Sequence, residues 1–287
     1  MEASLIMTSG YIHSLLSQPD FKGNPVRAVW RRIRWRLHWR IHPDQCVVLR
    51  NWWQGISIML PYSGSAAPIF YRHFSSQAIV DFLTQFLRPG MIVLDAGAHI
   101  GEYTLIAAHL VSSHGKVHAI EPQPDLAEII TNNATLNGFP WITVHSYAVA
   151  DYIGKALFTA NPHSKGGWLA EKMAMQETFE VPMITFDDFC REQNIQHVDF
   201  IKLDAAGNEL AALKGGEHLF TSNCVPALVV KLYNHQVVWE RFKYNNSEIV
   251  QLLLDWKYRL FELTLDGPQP FTDSVRGYCI PVLAVQE

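Results

Sequence analysis

Val93-Leu94-Asp95-Ala96-Gly97-Ala98-His99-Ile100-Gly101-Glu102-Tyr103-Thr104 reads as the end of a buried strand, a tight turn and the opening of a helix. An apolar run from Met91 to Leu94 ends in an acid, Asp95, and Gly97 and Gly101 follow four residues apart. Ile100, Tyr103, Thr104 and Leu105 then begin a helical pattern. Glycine in such a turn permits backbone angles and close approaches that a Cβ forbids. A ligand can lie against bare backbone there, at the mouth of a parallel sheet.

The spacing selects the ligand. A dinucleotide turn reads G-x-G-x-x-G and holds a pyrophosphate at the helix N-terminus. This turn reads D-x-G-x-x-x-G. An acid ahead of the first glycine suits a cation better than a pyrophosphate. That disfavours a nicotinamide dehydrogenase and favours S-adenosylmethionine (AdoMet), which carries a sulfonium and an ammonium. The next apolar run, Lys116 to Ile120, ends in Glu121, where a carboxylate can accept hydrogen bonds from both ribose hydroxyls. The expected cofactor contacts are Asp95, Gly97, Ala98, Gly101 and Glu121. Ala148 and Val149 are placed against adenine and Asp151 near its amino group, although a buried strand end explains the first two equally well.

From Met91 onward, strand-like and helix-like segments alternate, which implies a mostly parallel sheet covered on both faces. Asp95, Glu121 and Asp204 all fall at expected strand ends, so one crevice can hold all three. Lys155–Ala160 and Phe179–Ile184 read as an added strand pair. The loop between them carries His163 and Lys165, either over the acceptor as a lid or simply exposed. The expected division is an appendage over residues 1–86, with a loose helix up to about Ser17, a basic helix and a hairpin, followed by the main domain over 87–287.

With 287 residues, 48% of them apolar, the chain can bury a large core. A net charge of −4 argues against general nucleic-acid binding. The four cysteines, Cys46, Cys190, Cys224 and Cys279, are scattered with no C-x-x-C pair, against a structural zinc site or a disulfide framework. A cytoplasmic setting is the expectation. No apolar run nears the roughly 20 residues of a membrane span, and no signal peptide is read at the N-terminus. Six arginines fall between Arg27 and Arg40. Val26, Trp30, Ile33, Leu37 and Ile41 recur among them at helical spacing. Such a helix can pack its stripe on the main domain, lie on an anionic membrane as a peripheral contact, or grip phosphate groups of a substrate or nucleic acid.

Together, Leu94 to Thr104, Ala119-Ile120-Glu121-Pro122, Asn133 with Leu136-Asn137-Gly138, Ala148-Val149-Ala150-Asp151, Thr185 to Phe189 and Ile201-Lys202-Leu203-Asp204-Ala205-Ala206-Gly207-Asn208-Glu209 resemble the FkbM-type methyltransferase family, a branch of the class I AdoMet-dependent enzymes. The likeness covers roughly residues 87–214. It implies a Rossmann-like, doubly wound, mostly parallel seven-stranded sheet with an antiparallel last strand. It also implies O-methyl transfer from AdoMet to a hydroxyl of a small metabolite, sugar or glycan. Two positions depart from the family pattern. Ala206 replaces an acid in Asp-x-Glu-Gly-x-Glu, and Lys231 stands where the fifth strand often ends in an acid. Both weaken any divalent-metal site and favour an anionic acceptor; they also suit a protein that binds AdoMet as a scaffold without chemistry.

Methyl transfer to an alcohol needs positioning and a place for the hydroxyl proton. Asp204 is the first choice of base, the alternative being a cap of the following helix. Glu209 could assist or form a salt bridge. His99, inside the glycine turn, is a second base if it is not simply packed. Lys231 and His163 are the expected acceptor contacts, and Lys231 beside Asp204 would lower its pKa. Trp52 and Trp53 could stack on a sugar or pack the appendage on the core.

Overall fold

The computed structural model describes residues 19–63, 65–159, 168–169, 178–234, 244–272, 275 and 279–286. The expected helix up to Ser17, and His163 with Lys165, lie outside the described residues. The central sheet is built on β3 (Ile92–Ala96), β4 (Lys116–Ile120), β5 (Ile142–His145), β10 (Phe200–Leu203), β11 (Ala227–Tyr233), β12 (Tyr258–Thr264), β13 (Gly267–Pro270) and β14 (Cys279–Gln286), in the order β13-β12-β14-β11-β10-β3-β4-β5. Five strands, β5-β4-β3-β10-β11, run parallel, and β14 is antiparallel to both β11 and β12. This is the doubly wound, mostly parallel arrangement with an antiparallel last strand. The seven expected strands are extended by one, β13, which folds back on β12 through a turn at Leu265-Asp266.

The central strands are short continuous apolar runs because both of their faces are covered. Helices Glu102–Val111 and Pro124–Asn137 flank the β3–β5 side, and Phe186–Glu192, Glu209–Lys214 and Asn246–Asp255 lie along the rest. Gly138 closes the second of these at φ +65°, where glycine carries no Cβ penalty. A second sheet, in the order β6-β9-β7-β8, comprises β6 (Ala148–Val149), β7 (Gly154–Thr159), β8 (Trp168–Leu169) and β9 (Thr178–Ile184); the antiparallel β7–β9 pair is the added hairpin read in the sequence.

The N-terminal part is less regular in sequence than in structure. In the sequence Ser63-Gly64-Ser65 and Pro68 mark a loop, yet Ala66–Arg72 is a helix, with Pro68 in its first turn, where a missing N–H costs nothing. The hairpin of β1 (Val47–Trp53) and β2 (Ile56–Leu60) packs Trp52, Ile56, Ile58 and Leu60 into the same apolar cluster as Val93, Ile100 and Ile130. Two asparagines one helical turn apart hold its outer edge. Asn133 Oδ1 accepts from Met59 N (2.6 Å) while its Nδ2 donates to Met59 O (3.2 Å) and Ile100 O (3.1 Å). Asn137 repeats the pattern on Ser57, accepting at 2.7 Å and donating at 2.8 Å. Trp52 and Trp53 pack the hairpin: Trp52 Nε1 donates to His73 O (2.7 Å), and Trp53 sits edge-on to His109.

Helix Pro25–Ile41 corrects one expectation. Asn24 caps its first turn by accepting from Arg27 N (2.9 Å). The side that packs on the protein carries Ala28 and Trp35, with Trp35 against Phe70 and Tyr71. Arg31 donates to Tyr71 O, and Arg32 pairs with Asp20. The stripe Val26, Trp30, Ile33, Leu37 and Ile41 does not pack on the main domain; every member is exposed. The inward face was harder to read because it mixes tryptophan, alanine and arginine, whose stems and planes pack well beside aromatic rings.

Candidate functional site

The parallel register decides which side chains meet. Lys202 lies directly opposite Asp95 on the neighbouring strand, and Leu203 opposite Val230. Continuing that ladder by one residue brings Lys231 beside Asp204. Two ion pairs result at the carboxyl ends of β3, β10 and β11. Lys202 Nζ stands 3.2 Å from Asp95 Oδ1 and donates to Gly97 O at 2.7 Å. Lys231 Nζ donates to Asp204 Oδ2 at 3.0 Å, and Tyr233 OH donates to Asp204 Oδ1 at 2.6 Å.

Asp95 is buried and accepts from Thr104 Oγ1 at 2.6 Å through Oδ2. Its Oδ1 has charge contact with Lys202 but no hydrogen-bond donor in line. Gly97 takes φ +75° beneath β10: a Cβ there would fall 2.0 Å from the Asp204 carbonyl oxygen, so only glycine lets the turn close on that strand. The Gly97 and Ala98 amides both donate to Ile120 O, at 2.9 and 3.1 Å. Gly101, at φ +83°, opens helix Glu102–Val111. Glu121 is buried at the end of β4, its Oε2 accepting from His99 N (2.8 Å) and its Oε1 from Gln123 N (3.0 Å). Burial pushes its pKa up to about 7 against the pull of those two amides and Lys202.

The remaining expected residues divide. Ala148 and Val149 are buried in β6, and Val149 O accepts from Asn208 Nδ2 at 2.6 Å, which ties the second sheet to the turn after β10. Asp151 is exposed. His99, at φ +56°, bonds through Nε2 to Ser65 Oγ (2.9 Å), and enclosure with the nearby Lys202 charge pushes its pKa down to about 4. Its ring is therefore held neutral and occupied by Ser65. Asp204 does not cap the next helix, whose N-cap is Asn208. Burial works to raise the Asp204 pKa, but Lys231, Lys202 and the Tyr233 hydroxyl outweigh it and hold the carboxyl well below the usual range. Glu209 is fully buried, accepts from Gly207 N (3.1 Å) and Tyr244 OH (2.8 Å), and is pushed up to about 7 by burial and then by Asp204.

Between Asp204 and Glu209 the chain turns through Ala206 at φ +52° and Gly207 at φ +106°. Among the described residues, no group of three or more His, Cys, Asp or Glu side chains is placed to hold a metal ion. Sequence reasoning assigned no role to Lys202 or Tyr233. A lysine inside the apolar Phe200–Leu203 run was the available signal for the first. Strand parity was the signal for the second, because Tyr233 follows Lys231 by two residues and shares its face.

The arrangement is a rim of carboxylates balanced by two lysines at the open end of a parallel sheet. Among curated relatives, the chain is 24% identical over 139 residues to the hexuronic acid methyltransferase AglP of Haloferax volcanii, covering 48% of this chain and 55% of that protein. It is 28% identical over 161 residues to the 31-O-demethyl-FK506 methyltransferase FkbM of Streptomyces tacrolimicus, covering 46% and 61%. The match thus spans little more than half the length of either relative. Among solved structures, the methyltransferase FkbM of Methylobacillus flagellatus aligns over 77% of this chain and 54% of its own, at 16% identity and a TM-score of 0.45. Residues 95–260 match the methyltransferase FkbM domain, so the rim just described lies within it, and the chain belongs to the FkbM-type methyltransferase family.

Proposed function

We propose that the protein is an AdoMet-dependent O-methyltransferase whose acceptor is a hydroxyl on a small anionic metabolite, with a sugar acid as the leading class. The observation that carries the reading is the Asp204–Lys231–Tyr233 cluster, one strand from the glycine turn. The residues suit AdoMet on structural grounds. Asp95 keeps a buried carboxylate oxygen without a hydrogen-bond donor, and Glu121 presents a second carboxylate at the end of the neighbouring strand. Asp95 and the turn around Gly97 would hold the cationic amino-acid portion, and Glu121 the ribose. AdoMet supplies an activated methyl group on a positively charged sulfur.

Asp204 remains ionised at neutral pH and accepts hydrogen bonds, so it can orient an acceptor hydroxyl and take its proton as the oxygen becomes bonded to carbon. Its depressed pKa makes it a weak base. That suffices when the alkyl donor is already activated and the proton becomes acidic late in the step. Lys231, half-buried beside it, can face an acceptor carboxylate or phosphate while remaining charged. The relative from Haloferax volcanii is named as a methyltransferase of hexuronic acid, which supports an anionic sugar here.

A second reading, an AdoMet-binding scaffold without chemistry, draws on the same ion pair because it lowers the basicity of Asp204. Titration calorimetry with AdoMet and S-adenosylhomocysteine, followed by mass spectrometry of an acceptor panel of uronic acids, neutral sugars and sugar phosphates, separates the two. The proposal expects binding and a product one methylene heavier, lost in Asp204→Ala while AdoMet affinity is kept. Binding without product favours the scaffold. No heat with either ligand overturns both readings.

A further inference from the structure

We infer that helix Pro25–Ile41 docks the protein on an anionic lipid surface. The helix has two apolar faces. One, carrying Ala28 and Trp35, is 2% and 4% exposed and packs on Phe70 and Tyr71. On the opposite face, Val26 is 79% exposed, Trp30 58%, Ile33 49%, Leu37 51% and Ile41 58%. At 3.6 residues per turn these five form one continuous arc along a helix about 25 Å long. The inward face already satisfies the fold, so folding does not account for the outward one. A contiguous, exposed apolar strip of this length marks a contact surface.

Charge identifies the partner. Arg27 and Arg34 border the arc on one side and Arg36 and Arg40 on the other, and all four are exposed. The helix contains six arginines and no acid, in a chain whose net charge is −4. An apolar strip with tryptophan, flanked on both sides by guanidinium groups, matches the boundary between acyl chains and anionic headgroups: the strip enters the hydrocarbon margin and the arginines meet phosphates. A second protein would be expected to present acids in fixed register, whereas a bilayer needs only average negative charge. Arg31 and Arg32 are spent on Tyr71 O and Asp20, which fixes the roll of the helix and keeps the strip outward.

The test is flotation of the full chain with vesicles of phosphatidylcholine alone or with about one third phosphatidylglycerol. The expected result is at least about tenfold greater retention on the anionic vesicles, falling several-fold as salt shortens the screening length. The double variant Ile33→Glu/Leu37→Glu should lose about tenfold or more of that retention with an unchanged melting temperature, since both side chains are exposed. Arg34→Gln/Arg40→Gln should lose the preference for anionic vesicles. Equal retention on both vesicle types, or full retention by Ile33→Glu/Leu37→Glu, overturns the inference. So does a wild-type protein that sediments as a dimer, becomes monomeric in that variant, and ignores vesicles; the strip would then be a contact between two copies.

Discussion

Replacing Gly97 with alanine probes the closest approach in the site. Gly97 and Gly138 both have positive φ, +75° and +65°, yet their surroundings are opposite. A Cβ on Gly97 meets the Asp204 carbonyl oxygen at 2.0 Å and its carbon at 2.8 Å, whereas one on Gly138 meets nothing within 4 Å. Either alanine bears the left-handed backbone penalty, roughly 1–2 kcal/mol. Only Gly97→Ala must also push the turn and the end of β10 apart by more than an ångström to reach the ordinary contact distance of 3.4 Å. Overpacking of that kind costs about 1–3 kcal/mol. Gly138→Ala should therefore cost about 1–2 kcal/mol and Gly97→Ala about 2–5. At roughly 2–4 °C per kcal/mol for a domain of this size, the Tm should fall by about 2–8 °C and about 4–20 °C, respectively. Calorimetric melting reads both, and an AdoMet titration reads the functional consequence. Because Gly97 O also receives Lys202, Gly97→Ala should weaken AdoMet binding by about tenfold or more, while Gly138→Ala leaves it unchanged. Equal melting temperatures and equal affinities in the two variants would refute the proposed contact between turn and strand.

Asp204→Asn should reduce methyl transfer by about a hundredfold or more with AdoMet affinity retained, which single-turnover measurements and calorimetry check together. Lys231→Met removes a cause of the low Asp204 pKa, so the acidic limb of the rate profile should move to higher pH; a profile fixed in place would dissociate that limb from Asp204. Glu102, Glu121 and Glu209 are each pushed up to about 7 by burial, so the ligand-free fold binds more protons than the unfolded chain above the ordinary glutamate range and loses that stability as pH rises through about 7. His99 and His118 are held down to about 4 by burial, and they oppose this trend only below about 6.5. Unfolding free energies should accordingly fall between about pH 6.5 and 8, and a rise across that interval in denaturant titrations would contradict the buried carboxylates. Trp35→Ala should cost about 3–5 kcal/mol and Trp30→Ala under about 0.5, since the two rings lie on opposite faces of one helix.

The sheet was legible because its strands are short apolar runs separated by glycine turns, and because acids stand at three of their ends. Phe200–Leu203 is recovered residue for residue, while β13 escaped notice because Gly267-Pro268-Gln269-Pro270 has no strand-like side chains and is held by pairing with β12. In the site, Asp95, Glu121 and Asp204 could be placed from strand ends alone. Their counterions could not all be placed, since the meeting of Lys202 with Asp95 depends on a register set by neighbouring strands. The outward roll of helix Pro25–Ile41 was hidden for a related reason. Periodicity shows that two faces differ but not which one finds a partner, and Trp35 with Phe70 and Tyr71 decided the matter.

The carboxamides of Asn133 and Asn137 act as a third strand two residues long. An open ribbon edge invites a neighbouring chain to add alongside it, and these amides fill that row at Ser57 and Met59. The ribbon is thereby closed to fibril-like growth from that side, at the expense of a strict demand on the helix. Insertion of a single residue between positions 133 and 137 would swing one carboxamide about 100° around the axis, leaving one of the two peptide units bare.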